Sequence, residues 1–212
     1  MYLSESYKNR LKLLSGVILE DGSDAVKHTP GLDEFLEKVV ERYKIDNTFV
    51  DIIKQFILNS DCKKISIENL KMGDAVAMSD RLILSPNVFR NHLGRFLFIL
   101  FHETAHQYQF KKYGEDKMLS LYTGDISIKE AAELMKKIEV IADDFAARKI
   151  RELIKLKFLH PKHSEFKGFY KDVPIEKLSQ TIIQIKDMLK KLNITEPSKI
   201  SEVFYNWVKA DL

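Results

Sequence analysis

The chain has 212 residues, of which 45% are hydrophobic and 31% are charged, and its formal net charge is +3. This length and composition predict one domain with a sizeable hydrophobic core, and the net charge is too small to indicate nucleic-acid binding by itself. The single cysteine, Cys62, excludes an internal disulfide framework and a cysteine-rich zinc site.

The amino-terminal residues 1–5 have neither the basic region nor the apolar region of a secretory signal peptide. No uncharged apolar run in the chain approaches the ~20 residues that a transmembrane helix needs. Together with the lone cysteine, these features predict a cytoplasmic protein with no membrane partner. They leave its oligomeric state open.

Residues 1–60 have the pattern of a helical segment. Residues 7–19 are weakly periodic, Pro30-Gly31 opens a second helix, and Thr48 begins a third. The apolar residues that recur at helical spacing are Leu32, Phe35, Leu36, Val39, Val40 and Tyr43 in the second helix, and Phe49, Ile52, Ile53, Phe56 and Ile57 in the third.

Residues 64–68, 75–78 and 81–85 have a different pattern, with short apolar runs separated by turn residues. The turn residues are Gly73-Asp74 and Ser79-Asp80, and a proline follows the third run. We therefore predict a small three-stranded antiparallel sheet with tight turns.

Residues 102–106 read HETAH, directly after the apolar run 96–101. On a helix, His102 and His106 lie one turn apart on the same face, so both can bind one metal ion. Glu103 lies about 100° round the helix, where it would border the metal as a general base. The apolar run indicates a buried helix, and buried histidines need partners. The alternative is a surface helix with two exposed histidines.

A catalytic zinc ion usually has three protein ligands and one open position. Residues 107–114 contain no histidine, which excludes the class of peptidase whose third histidine follows the motif directly. The next histidines, His160 and His163, flank a proline. Glu139 is a better candidate for the third ligand.

Glu139 lies on a predicted helix that begins at the capping box of Ser127 and Glu130 and continues to about Phe158. A proline at position 161 follows this helix. Glu139 is at the edge of its apolar stripe, which consists of Leu134, Ile138, Ile141, Phe145 and Leu153.

Asp143 lies one turn after Glu139 on the same helix face. Ala142, Ala146 and Ala147 keep this side of the helix thin, so that it can pack closely on the helix of His102 and His106. Asp143 can then accept the free ring N–H of a metal-bound histidine. The alternative for Glu139 is an ordinary carboxylate in solvent.

Residues 148–171 form the one strongly basic segment of the chain, with aromatic residues interleaved. Such a segment can hold a phosphate backbone or stack bases. A solvated helix face followed by a loop is the commoner explanation. The basic residues are Arg148, Lys149, Arg151, Lys155, Lys157, Lys162, Lys167 and Lys171, and the aromatic residues are Phe158, Phe166, Phe169 and Tyr170.

The last part of the chain predicts two further helices, from Pro174 to about Leu192 and from Pro197 to Ala210, with Trp207 in the core. The chain therefore divides into a helical segment at 1–60, a catalytic core at 61–160 and a helical cap at 161–212. We expect the three parts to form one domain.

The HETAH run and the later EVIAD run at 139–143 resemble the gluzincin metallopeptidases, the thermolysin-like group whose second motif is Glu-x-x-x-Asp. The minimal gluzincins, including the ImmA/IrrE-type peptidases, are the most similar in size and motif. The resemblance covers about residues 65–158. It implies an α+β, mostly helical, zincin-like domain whose small sheet has an edge strand, within 75–85, that binds extended peptide.

The resemblance also implies roles for individual residues. His102, His106 and Glu139 would be zinc ligands, Glu103 the general base, and Asp143 the partner of a ligand histidine. The chain departs from the family pattern in two respects. Gln107 is polar where an apolar residue is usual, and the interval between His106 and Glu139 is long.

The sequence thus predicts a zinc-dependent endopeptidase that acts on a protein or peptide substrate. No spacing singles out an oxyanion-stabilising residue, and the candidates by residue type are Tyr122, Arg148, His160, His163 and Tyr170. Two alternatives stay open: a zinc-containing interaction protein without turnover, and a nucleic-acid-associated protein that uses the basic segment at 148–171.

Overall fold

The computed structural model describes residues 29–71, 73–124, 126–165 and 168–209. Within these ranges the fold is mostly helical, with seven α-helices and one small sheet. The helices are α1 (Leu32–Tyr43), α2 (Asn47–Asn59), α3 (Leu93–Tyr113), α4 (Glu115–Thr123), α5 (Ile128–Lys155), α6 (Ile175–Lys191) and α7 (Pro197–Val208). The strands are β1 (Lys64–Ile67), β2 (Ala75–Ala77) and β3 (Arg81–Leu84). The helix predicted over 7–19 lies outside the described residues.

The sheet is mixed, with strand order β1-β3-β2, so the prediction of an antiparallel sheet was wrong. β2 and β3 form the expected antiparallel hairpin, but β1 runs parallel to β3. The prediction treated Gly73-Asp74 as a tight turn between neighbouring strands. β2 instead lies at the far edge of the sheet from β1. After β1, the backbone N–H of Lys71 bonds to the carbonyl of Val208 rather than to a neighbouring strand.

The two edges of the sheet differ. At the β1 edge, the N–H of Ile65 donates to the carbonyl of Pro30 at 3.0 Å. Gly31 lies so close that a Cβ there would be 2.0 Å from the carbonyl oxygen of Ile65, and its φ of +82° also requires glycine. The β2 edge faces α3 and the side chains described below.

α3 is the central helix, and its first half is buried. Phe96 packs against Tyr43 of α1, with 4.9 Å between ring centroids, and Phe101 packs against Phe56 of α2 at 4.7 Å. The other side of α3 meets α5 through small residues, since Ala142, Ala146 and Ala147 are all buried. This close helix pair positions the candidate site.

The apolar stripe predicted for α5 was partly wrong. Leu134 is 44% exposed and Ile141 is 46% exposed, whereas Leu153 is buried as expected. α5 packs on the bulky side chains of α3 with its alanine face. The small alanines are therefore buried, and the larger side chains of Leu134 and Ile141 lie outside this contact.

The last two helices cover one end of α5 and α4. Ile182 of α6 packs in a cluster with Ala131 and Ala132 of α5, and Ile185 of α6 packs with Ile200 of α7. Trp207, predicted to be in the core, is partly buried beside Phe204. Within the described ranges, none of the helices combines the length and apolar composition that crossing a bilayer requires.

Candidate metal centre

The structure brings His102 and His106 of α3 together with Glu139 of α5. Nε2 of His102 lies 3.1 Å from Oε2 of Glu139, and Nε2 of His106 lies 3.4 Å from the same oxygen. The two Nε2 atoms are 3.1 Å apart. Three ligands of a tetrahedral zinc ion, each about 2.0–2.1 Å from it, are about 3.3–3.4 Å from one another. The three residues form a group that could hold a metal ion.

The second nitrogen of each imidazole has its own partner. Nδ1 of His102 lies 3.0 Å from Oδ1 of Asp143, and Nδ1 of His106 lies 2.8 Å from Oε1 of Gln109. Such contacts fix the ring tautomer and direct Nε2 toward a metal. Sequence reasoning identified Asp143 but missed Gln109, although its position three residues after His106 places it on the same helix face.

Gln109 also links the two helices beside the site. Its Nε2 donates to the carbonyl of Ile138 at 3.0 Å, and Ile138 directly precedes Glu139. The amide therefore orients His106 and fixes the backbone of α5 next to the third member of the group.

Asp143 in turn holds the segment that follows α5. Its Oδ2 accepts a hydrogen bond from the backbone N–H of Tyr170 at 2.8 Å. A Cβ on Gly168 would lie 2.5 Å from the Cβ of Asp143, so only glycine fits there. The hydrogen bond from Tyr170 and the close approach of Gly168 hold this segment beside Asp143. The Tyr170 ring then lies against the His102 ring, with centroids 5.9 Å apart and planes inclined by 19°.

The charges of the cluster are strongly coupled. Burial alone would raise the pKa of Glu139, but His102 and His106 lower it to about 2. Burial alone would lower the pKa of His102, but hydrogen bonds to Asp143 and Glu139 raise it to about 10. The pKa of His106 is also raised, since Glu139 outweighs the effect of burial. Without a metal, this cluster binds protons tightly, as expected of a cation site.

Glu103 lies beside the group and faces the edge of the sheet. Burial raises the pKa of Glu103, although His102, His106 and a hydrogen bond from the backbone of Ala77 oppose the shift. Ala77 belongs to β2, so the carboxyl group lies between the metal-binding cluster and the edge strand.

Gln107, the polar residue that departs from the family pattern, has a structural role. Its side chain is buried, and its Nε2 donates to the carbonyls of Met78 and Arg81, the latter at 2.9 Å. Met78 directly follows β2, and Arg81 is the first residue of β3. Gln107 thus ties the hairpin to α3 and sets the position of the edge strand.

Two cavities, of about 260 Å³ and about 420 Å³, meet at the cluster. Both are lined by Ala75, His102, Glu103 and Tyr170. We call the smaller one the apolar cavity, because most of its remaining walls are apolar side chains of α4, α5 and α7. The cluster therefore lies between two spaces that are both accessible to a ligand.

Of the five candidate oxyanion-stabilising residues, Tyr122 and Tyr170 line the apolar cavity. Burial raises the pKa of both phenols, so they stay protonated donors at neutral pH. Arg148 instead lies over the Phe145 ring, at 5.6 Å, and His163 stacks on His92, at 5.5 Å. His160 does not line either cavity.

The basic segment at 148–171 does not form one surface in the described residues. Lys149 is buried against the Phe56 ring and pairs with Glu152 at 2.9 Å. Phe158 packs on Phe49 of α2, with ring centroids 5.5 Å apart. At least Lys149 and Phe158 of this segment therefore pack against other helices instead of facing a common outer surface.

The geometry shows a His-His-Glu group that could bind a metal ion, without determining which metal. It also shows a carboxylate and two phenols beside that group. No protein-family model, curated protein sequence or solved structure matches the chain.

Proposed function

We propose that the protein is a zinc-dependent metallopeptidase of the gluzincin type that cleaves internal peptide bonds. The observation that carries the proposal is the triangle of ligand atoms in His102, His106 and Glu139, 3.1–3.4 Å on a side, with Glu103 next to it. Two imidazoles and one carboxylate are the donor set of several catalytic zinc sites, in which the fourth position stays open.

The supporting contacts fit zinc as well. Each histidine has a hydrogen-bonded Nδ1, through Asp143 for His102 and Gln109 for His106. Hydrogen bonds that fix the ring orientation in this way increase zinc affinity. A zinc ion held by this group would polarise a peptide carbonyl and lower the pKa of water toward ~7.

Glu103 is the proposed general base. It takes a proton from the attacking water and passes it to the nitrogen of the leaving amine. Burial raises its pKa above the ordinary value of a carboxyl group, which makes the carboxylate a better proton acceptor.

Tyr170 is the proposed donor to the oxygen of the scissile carbonyl. Its ring stacks on His102 and lines both cavities, and its backbone is held by Asp143. A phenol that is protonated at neutral pH can stabilise negative charge developing on that oxygen. Tyr122 lines only the apolar cavity, so we assign it the lesser role.

The free edge of β2 is the proposed binding surface for the substrate backbone. Met78 N–H bonds to Arg81 and Ser85 N–H bonds to Asp74, so Ala75 and Ala77 direct their N–H and C=O groups away from β3. Since the N–H of Ala77 bonds to Glu103, the groups left for substrate are both backbone groups of Ala75 and the carbonyl of Ala77. An extended peptide can pair with these groups as an added strand. Since a cavity lies at each end of β2, substrate can continue in both directions, as an endopeptidase requires.

The two alternatives have less support. A zinc-containing interaction protein would fill the fourth metal position with a protein group, whereas here two cavities reach the cluster. A nucleic-acid site would need the basic and aromatic residues of 148–171 on one face, and Lys149 and Phe158 pack inside.

The test combines metal content with hydrolysis of a mixed peptide library. We expect about one zinc per chain and metal-dependent cleavage. Glu103→Gln should retain zinc and lose cleavage, and His106→Ala should lose both. Glu133→Gln, at an exposed position of α5, is the matched control and should behave as the unaltered protein. Undiminished turnover by the Glu103→Gln variant would falsify the proposed base.

A further inference from the structure

We infer that the apolar cavity selects a large apolar side chain on the amino-terminal side of the scissile bond, an inference that rests on the proposed peptidase function. The cavity begins at the cluster and extends between α4, α5 and α7. Its volume of about 260 Å³ suits a large side chain, because pockets for whole drug-sized ligands measure about 300–1,000 Å³.

The walls of the cavity set the chemical class of its occupant. Away from the cluster they consist mostly of apolar side chains, together with the phenol of Tyr122. The apolar side chains are Phe110, Met118, Leu119, Leu121, Met135, Ile138 and Phe204. Among the described residues, no lysine or arginine lines the cavity, and its carboxylates are Glu103 and Glu139 of the cluster itself. Ser201 also lines it, but its hydroxyl bonds to Glu115.

The phenols of Tyr122 and Tyr170 line the cavity but carry no charge. A charged substrate side chain would therefore lose its hydration there without gaining an oppositely charged partner outside the cluster, whereas an apolar one would leave water for an apolar surface. Flexible Met118 and Met135 allow the pocket to adapt to more than one apolar shape. We expect Leu, Met and Phe to be favoured at this position over Asp, Glu or Lys.

The direction of the substrate follows from the free edge of β2. Antiparallel pairing is the more stable and the commoner arrangement. Ala77 and Met78, at the carboxyl end of β2, line the apolar cavity, whereas Gly73 and Asp74 line the larger one. A strand that pairs antiparallel to β2 thus passes the apolar cavity first and the larger cavity after the cluster. This places the apolar cavity on the amino-terminal side of the bond that is cleaved.

The larger cavity carries no comparable preference. It is lined by the charged side chains of Arg95 and Asp74 and by the apolar side chains of Phe98, Ile99 and Phe169, so charged and apolar substrate residues can both find a partner there. Asp143 also lines it, but its two oxygens are already bonded to His102 and to the N–H of Tyr170. The strong selectivity is therefore expected on one side of the scissile bond.

The first experiment maps cleavage sites in a mixed peptide library by mass spectrometry. We expect Leu, Met or Phe just before the cleaved bond to be favoured about tenfold or more over Glu and Lys. A preference of that size on the carboxyl side alone, or no apolar preference, overturns the inference while leaving the peptidase proposal intact.

The second experiment alters the pocket. Met135→Lys places a cation on the cavity wall, and we expect it to reduce cleavage after Leu about tenfold and to raise cleavage after Glu. Leu134→Lys makes the same change at the neighbouring, 44% exposed position and should leave selectivity unchanged. Met135→Phe, which narrows the pocket without adding charge, should shift the preference toward smaller apolar residues even if Met135→Lys does not fold. Unaltered selectivity in a folded Met135 variant contradicts the inference.

A binding measurement separates this inference from the proposed function. Zinc-loaded Glu103→Gln protein is titrated with two labelled peptides that differ only in Leu or Glu at the selected position. Tighter binding of the Leu peptide, by about tenfold, supports the pocket even if no peptide is cleaved. Equal binding of the two peptides overturns it.

Discussion

The two histidines of the cluster are held by different parts of the molecule. Nδ1 of His102 contacts Asp143, a carboxylate on the neighbouring helix α5, at 3.0 Å. Nδ1 of His106 contacts Gln109, a neutral amide on its own helix, at 2.8 Å. One ring is thus oriented by a contact between helices and the other by a contact within a helix.

This difference indicates how the site is built. A hydrogen bond that involves a charged group is about twice as strong as a neutral one. Asp143 also accepts the backbone N–H of Tyr170, so the His102 side joins α3, α5 and the segment after α5. The His106 side depends mainly on the local turn of α3, with one added bond from Gln109 to α5. We therefore expect a substitution of the partner of His102 to lower zinc affinity more than a substitution of the partner of His106.

Asp143→Ala should have the largest effect. It leaves His102 and the N–H of Tyr170 without their partner in a buried place, at a cost of about 1–3 kcal/mol for each unsatisfied group. We also expect zinc affinity to fall about 100-fold, the upper end of the range for such partners. Chelator competition and thermal unfolding measure the two effects.

Gln109→Ala should have a smaller effect of the same kind. It removes a neutral partner from His106 and one bond to Ile138, so zinc affinity should fall about tenfold, the lower part of that range. The same chelator competition gives the comparison. An equal or larger loss than in Asp143→Ala would show that the charged contact is not the dominant one.

Gly168→Ala should displace the segment that carries Tyr170 while leaving the metal-binding group in place. The added methyl meets Asp143, so the segment has to move, at a cost of about 1–3 kcal/mol as for other overpacked positions. We expect turnover to fall about tenfold with zinc affinity reduced less, because the His-His-Glu group itself keeps its contacts. A loss of zinc as large as in Asp143→Ala would instead mean that the segment supports the ligands directly.

The local parts of this architecture could be predicted from the sequence. The three strands lie where the apolar runs predicted them, and the capping box of Ser127 and Glu130 does begin α5. The helical spacing of His102 and His106 also requires no tertiary information. Each of these features depends on residues within about one turn or one hairpin of each other.

The parts that could not be predicted depend on contacts between distant segments. The place of β1 beside β3 depends on pairing between two strands that are not consecutive in sequence, which short-range patterns do not describe. Leu134 and Ile141 were assigned to the core because periodicity identifies an apolar face but not which face a partner helix admits. Tyr170 reaches His102 only because the chain folds back after α5.

The pH dependence of stability should differ between the metal-free and zinc-loaded protein. In the metal-free protein, Asp143 and Glu139 overcome the effect of burial and raise the pKa of His102 from 6.5 to about 10. The interaction of protonated His102 with these two carboxylates therefore stabilises the fold fully below about pH 6.5, and this contribution is lost as the pH rises toward 10. Zinc instead needs unprotonated nitrogens, so its binding becomes more favourable over the same interval.

The gain in unfolding temperature on adding zinc should consequently increase from pH 6 to pH 9. Thermal unfolding with zinc and with a chelator, at several pH values, measures this gain. In Asp143→Ala the pH dependence should be weaker, because His102 has lost the carboxylate that contributes most to its raised pKa. In Gln109→Ala it should persist, since a neutral amide adds no charge to the cluster. A gain that is independent of pH in the unaltered protein would mean that zinc does not displace protons from these histidines.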